Sequence, residues 1–261
     1  MDRDDRLIAF IRAMHEGYSA LGSLSGGSVH RADGLLMAAG PHPKALIANT
    51  ALRTDTAVAP DDVLRRTREH YRAMGWSFDL ATFAVQDADL DAAATAVAWS
   101  VNVELPCMVI DSTIDEAPVP DGVAVRQATM AGDHVVVGQI VAECFAYEDV
   151  QREGIRAIFA RPALFGTSGW PFVIASIEGV DVAAAASFVH GDVGVLGFVA
   201  TLPAHRRRGL GALVSRLATN AAFDAGARFV GLQASPQGRP VYEAIGYETI
   251  GDSKIWAPPE G

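Results

Sequence analysis

Between residues 193 and 224 the apolar positions of the chain change period. Residues 193–201 (Val-Gly-Val-Leu-Gly-Phe-Val-Ala-Thr) form an apolar run of strand length, whereas Leu210, Leu213, Val214, Leu217, Ala218 and Ala221 recur at steps of three and four. The first pattern predicts a buried strand and the second one apolar stripe of a helix that starts at Gly209. The same reading predicts a strand over 123–127, helices over 135–145 and 153–160, and a strand pair over 171–177 and 183–190 around a turn at 178–181. Beyond the helix from Gly209 it predicts a strand over 228–234, a short helix over 240–245 and a last strand over 247–256.

The first half shows a fainter version of this order. A helix over 6–21 precedes strands over 34–39 and 44–53, a helix over 61–74, a strand over 77–85, a helix over 90–99 and a strand over 101–110. Residues 111–122, with Pro118, Pro120 and the pair Asp121-Gly122, read as a linker. Two units are therefore expected, 1–115 and 116–261, in an α/β (α+β) chain.

Composition narrows the function classes. Half of the 261 residues are apolar, enough for a sizeable core, and the net charge of −10 argues against a general nucleic-acid or anionic-membrane partner and favours a cationic substrate. Cys107 and Cys144 are the only cysteines, too few for a disulfide framework or a cysteine-based zinc site, and the histidines show no metal-ligand spacing. The expectation is a cytoplasmic protein without metal. The opening Met-Asp-Arg-Asp-Asp-Arg is acidic, and no apolar stretch approaches the ~18 residues of a membrane span, so neither secretion nor insertion is expected.

The strand-to-helix turn carries the candidate chemistry. Arg206, Arg207 and Arg208 precede Gly209, Leu210, Gly211 and Ala212. The first turn of a helix leaves its N–H groups without intrahelical partners at the positive end of the helix dipole, and glycine lets an anion come close to the backbone. A pyrophosphate fits such a turn. A dinucleotide fingerprint does not, because the third Gly is absent, with Val214 or Ser215 in its place, and arginines separate the turn from the strand.

The order Arg206-x-x-Gly209-x-Gly211, three residues after Pro203 closes an apolar strand, resembles the acyl-CoA-binding motif of the GCN5-related N-acetyltransferases. A later segment, residues 232–247, with Ser235, Gly238, Pro240, Tyr242 and the closing Gly246-Tyr247, is similar to the later motif of that family. The resemblance covers residues from about 122 to the C-terminus. It implies an acetyltransferase fold with a mixed, mostly antiparallel sheet, acetyl-CoA as co-substrate, and acyl transfer to a primary amine of a small molecule or peptide by a monomer or homodimer.

The resemblance also assigns roles. Strand 193–201 splays from its neighbour, so the Val199 N–H is free to hold the thioester oxygen and Thr201 pairs with the pantetheine arm. The amides of 207–212, with the side chains of Arg206, Arg207 and Arg208, take the pyrophosphate. Tyr242 is the general acid, its phenol well matched to a thiolate leaving group. Two positions depart from the pattern. Ser235 stands where many members have Asn, and Val195 where some have a Glu base, so strand 193–201 holds no ionisable residue. Glu143, Glu148 and His190 are candidate bases, each more easily read as solvated or capping, and His205 belongs with the phosphate turn. A coenzyme-binding protein without turnover is the alternative.

In the first half, the corresponding turn from Thr54 to Asp61 has neither glycine nor an arginine cluster, and its aspartates would repel a phosphate. Residues 1–115 are therefore either a degenerate acetyltransferase-like repeat, familiar in tandem members, or an unrelated α/β cap.

Overall fold

The computed structural model describes residues 1–45, 47–115, 118–130, 132–146, 149–163 and 170–259. The first half runs α1 (Arg3–Leu24), β1 (Ser28–Ala32), β2 (Leu35–Ala39), β3 (Thr50–Arg53), α2 (Pro60–Met74), β4 (Asp79–Phe83), α3 (Ala84–Ala96) and β5 (Ser100–Ile110). The second runs β6 (Val123–Gln127), α4 (Asp133–Phe145), α5 (Asp149–Ile158), β7 (Phe172–Ile177), β8 (Val180–His190) and β9 (Val193–Thr201). A single 3-10 turn (Pro203–His205) then leads to α6 (Leu210–Asp224), β10 (Phe229–Gln233), α7 (Arg239–Ala244) and β11 (Glu248–Ala257).

The strands β1 to β3 and β7 to β9 are two antiparallel meanders, and each meander ends beside a parallel strand, β4 next to β3 and β10 next to β9. From there the halves exchange their last strands. β5 of the first half pairs with β10, β11 of the second pairs with β4, and β5 and β11 pair with each other. One sheet results, in the order β1-β2-β3-β4-β11-β5-β10-β9-β8-β7-β6. From β1 and from β7 onward the two halves thus follow the same order of strands and helices about a pseudo-twofold centre between β5 and β11.

Side-chain alternation lets each strand serve two cores. On β7, Val173 and Ala175 pack with Val214, Ala218 and Ala222 of α6, while Phe172 and Ile174 face Val137, Ile140 and Val141 of α4. On β2, Leu36 joins α1, while Leu35 and Met37 join Val63, Leu64 and Tyr71 of α2. Helix α1 lies across the seam between the halves. It sinks onto the sheet where side chains are missing: a Cβ on Gly231 would come within 2.4 Å of the Phe10 ring, and one on Gly251 within 2.5 Å of Leu7.

Several boundaries differ from the sequence reading. The strand expected over 44–53 is extended only from Thr50, because Asn49 holds the preceding loop in a turn. Its Nδ2 donates to the carbonyls of His42, Pro43 and Ser77, and its Oδ1 accepts from the Gly40 N–H. The helix expected over 90–99 begins at Ala84 and kinks at Asp87 (φ −121°), whose carboxylate is drawn to Arg53 and to the Phe83 N–H. Strand β1 was not expected, since Ser28-Val-His-Arg-Ala is mostly exposed and carries little apolar signal. The turn expected at 178–181 is only Glu178-Gly179, both at positive φ (+51° and +80°), which matches the twist of the flanking strands.

Candidate functional site

The middle of β9 is irregular. Ala184 of β8 faces Ala200 and Ala186 faces Gly197, so β9 carries one extra residue there, and Phe198 takes a left-handed φ of +53°. Neither Phe198 nor Val199 has a register partner on β8. On its other side β9 is paired to β10 only from Val193 to Val195, while β10 continues along β5 to Gln233. The two parallel strands therefore diverge at Leu196. Their gap opens into a cavity of about 570 Å³, lined by Gly197, Phe198 and Val199 on one side and by Gln233, Ser235 and Tyr242 on the other.

The strand then leads into the glycine-bearing turn. Gly209 is the N-cap of α6 at φ +78°, a conformation that disfavours a side chain, and no side chain caps this helix end. A Cβ at Gly209 would meet nothing within 4 Å, and one at Gly211 would only touch Thr201 Oγ1 at 3.7 Å. The space above both glycines is open, and the fold does not need Gly211 for packing. Arg207 (φ +61°), Arg208 and Arg206 are exposed, and Ala212 is half-buried behind the turn. Arg206 bends back so that its Nε donates to the Thr201 carbonyl (3.0 Å), which also accepts from Cys144 Sγ (3.3 Å). Uncapped amides, the exposed guanidinium groups of Arg207 and Arg208, which have no ion pair among the described residues, and open space above glycine suit the diphosphate of a coenzyme.

Tyr242 sits on α7, a short helix that opens with Pro240 near its start and is followed by Gly246 at φ +103°. The ring is buried, edge-on to Tyr247 at 5.9 Å, and burial pushes the phenol up to about 12. Tyr247 is committed elsewhere, its hydroxyl 2.7 Å from Thr219 Oγ1. Gly238 sets the position of Tyr242, since a Cβ there would come within 2.8 Å of the ring. Ser235 Oγ accepts from the Gly238 N–H at 3.0 Å, so this hydroxyl closes the turn into α7 while still bordering the cavity.

Of the candidate bases, Glu143 is held by Arg152 (Nε to Oε2, 3.2 Å). His190 pairs with Val193 at the hairpin end of β9, the end away from the bulge. Glu148 lies outside the described residues. His205, half-buried beside the turn, keeps its Nδ1 out of solvent without a hydrogen-bond partner among the described residues.

The sequence reading missed the groups that the first half adds to this cavity. Tyr18 of α1 donates to Gln233 Oε1 (3.4 Å), Gln233 Nε2 donates to Ser253 Oγ (2.7 Å), and Asp79, at the start of β4, accepts from Asn102 Nδ2 (3.0 Å). The one local signal was a carboxylate opening the strand-like run Asp79-Leu-Ala-Thr-Phe. That it faces a cavity shared with β9 depends on the strand exchange.

In the first half the matching cleft is filled. Arg53, at the end of β3 as Thr201 is at the end of β9, is fully buried. Its Nε donates to Asp87 (2.9 Å), its Nη2 to Asp89 (2.6 Å) and to the Gln86 carbonyl (2.7 Å), and its Nη1 to the Val58 carbonyl (3.3 Å). Helix α2 begins with Pro60, which has no N–H to offer, and Asp61 and Asp62 occupy its first turn.

Residues 177–257 match the family described as FR47-like protein. No curated protein matches the chain by sequence. Among solved structures, a GCN5-related N-acetyltransferase from Kribbella flavida superposes with a TM-score of 0.72 at 20% identity, covering 95% of this chain and 96% of that one. A GCN5-related N-acetyltransferase from Sphaerobacter thermophilus gives 0.61 at 12% identity, over 86% of this chain and 76% of that one. A tandem GNAT protein from the clavulanic acid biosynthesis pathway gives 0.57 at 15% identity, over 87% and 78%. These likenesses extend over both halves, and with the repeated strand order they establish that the chain has the fold of the GCN5-related N-acetyltransferases, with a first half whose corresponding turn has neither glycine nor an arginine cluster.

Proposed function

We propose that the chain is an acetyl-CoA-dependent N-acetyltransferase acting on a primary amine of a small molecule or peptide. The observation that carries this reading is the meeting of the β9 bulge and Tyr242 on one cavity, with the uncapped start of α6 at the end of the same strand. The co-substrate supplies an acyl carbon already activated as a thioester. The first-turn amides of α6, with Arg207 and Arg208, hold the diphosphate, and Thr201 lies beside the path of the pantetheine arm. The Val199 N–H donates to the acyl oxygen, where negative charge collects as the amine nitrogen bonds to the acyl carbon. Tyr242 passes its phenolic proton to the departing sulfur as the carbon–sulfur bond breaks, so the products are an amide and a thiol. The proton lost by the amine nitrogen goes to water, and the phenol is reprotonated from solvent.

Calorimetry with acetyl-CoA and turnover across an amine panel test this reading. One coenzyme is expected per chain, because Arg53 fills the matching cleft of the first half and Asp61 and Asp62 sit where its phosphates would lie. Two equivalent sites would mean that the first half still works as a repeat. The absence of any acid or imidazole on β9, with Glu143 tied to Arg152, favours a second reading in which coenzyme binds without turnover. Tight acetyl-CoA binding with no acetylated product from any amine would select that reading.

A further inference from the structure

The cavity does not end at the coenzyme side. From β9 it crosses β10, β5 and β11 to β4, four strand spacings of about 4.8 Å each, or on the order of 19 Å between the outer backbones. Its middle is apolar: Val103, Leu105 and Ile255 form the sheet side, and Met14, Leu21 and Phe188 line it as well. Its far end is polar and comes entirely from the first half, with Asp79, Asn102, Thr50 and Lys44. Lys44 Nζ donates to Ser77 Oγ (2.9 Å), and no salt bridge to Asp79 is found among the described residues. The Asn102 amide is the one side chain found hydrogen-bonded to the Asp79 carboxylate there.

Resting on the acetyl-transfer reading, we infer that the first half supplies the far wall of the acceptor site, where the Asp79 carboxylate, held by Asn102, receives a second cationic group of an elongated amine. The acceptor class is thus a diamine, or an amine with an apolar body and a distal ammonium. Its reactive nitrogen lies at the β9 bulge, its body along Leu105 and Ile255, and its far cation against Asp79. The burial, surroundings and charge of this site agree with this. The carboxylate borders a cavity yet is buried, so a charge there gains more from a cation than an exposed one would. Burial pushes Asp79 up to about 7, the behaviour of a carboxylate that lacks a counter-ion and that a bound cation would ionise. Asp79 also lies near enough to the buried Tyr18 hydroxyl to raise that phenol further, and Tyr18 in turn donates to Gln233. The charge of −10 over the chain favours the approach of a dication.

The test compares α,ω-diamines with n-alkylamines of matching length, by calorimetry on the full chain without acetyl-CoA and by kcat/KM with it. Over a window of lengths the diamine is expected to bind on the order of 10- to 100-fold more tightly than its monoamine partner, the range for a hydrogen bond to a charged group. In Asp79→Asn, which keeps the shape of the side chain, that ratio should fall towards one in both measurements. A wild-type protein that binds both amines alike overturns the inference without need of any variant, as does an Asp79→Asn protein that keeps the preference. A diamine preference in a protein that neither binds acetyl-CoA nor acetylates an amine would support this site while removing the acetyl-transfer reading.

Discussion

Tyr242→Phe is expected to lower kcat by ~10² or more while acetyl-CoA affinity changes little. On the proposed mechanism the phenol is needed only as the carbon–sulfur bond breaks, and Phe keeps the ring that fills the space between Tyr247 and Gly238. The direction of the pKa shift supports the role. Burial raises Tyr242 to about 12, so the proton-carrying form dominates throughout an ordinary assay range and contributes no alkaline limb there. With no acid on β9, kcat should rise with pH until the amine itself titrates. Steady-state kinetics with calorimetry on the same variant check both parts. An undiminished kcat would remove Tyr242 as proton donor, and an acidic limb near neutrality that vanishes on mutating Glu143 would restore a side-chain base.

Gly209→Asp is expected to weaken acetyl-CoA binding by ~10- to 100-fold or more, since it would set a negative charge where we propose that the diphosphate binds and forfeit ~1–3 kcal/mol of charge-assisted contact. The φ of +78° adds a backbone penalty of ~1–2 kcal/mol for a side chain, while the open space around the built Cβ means that no clash contributes. Gly209→Asn separates the two effects, because Asn enters the left-handed region easily and carries no charge. If charge decides, Asn should retain most of the affinity and Asp should not. Equal affinity of the folded Gly209→Asp variant and the wild type, measured by calorimetry, would move the diphosphate away from this turn.

Much of the second half was legible in the chain itself because its signals are local. Residues 193–201 and the stripe from Leu210 to Ala221 carry their period in neighbouring positions, and the turn between them states its conformation through Gly209. Strands β6 and β9 match their expected bounds, and the order of elements after the linker is the order observed. The first half was less legible where long-range hydrogen bonds override pattern. Asn49 holds residues 44, 45 and 47–49 out of a strand by reaching Ser77, and Asp87 breaks a helix by turning to Arg53.

By itself, then, the sequence determined the strand–turn–helix at 193–224, its resemblance to an acyl-CoA-binding turn, and the lack of glycines and of an arginine cluster at the turn from Thr54 to Asp61, since each depends on residues close along the chain. Only the tertiary structure decided which groups share a cavity. The exchange of β5 and β11 pairs residues more than a hundred positions apart, and it brings Asp79, Asn102 and Tyr18 to the same opening as Val199 and Tyr242. Strand pairing of that range leaves no mark on local periodicity, because a strand's alternation records which face is buried and not which strand lies beside it.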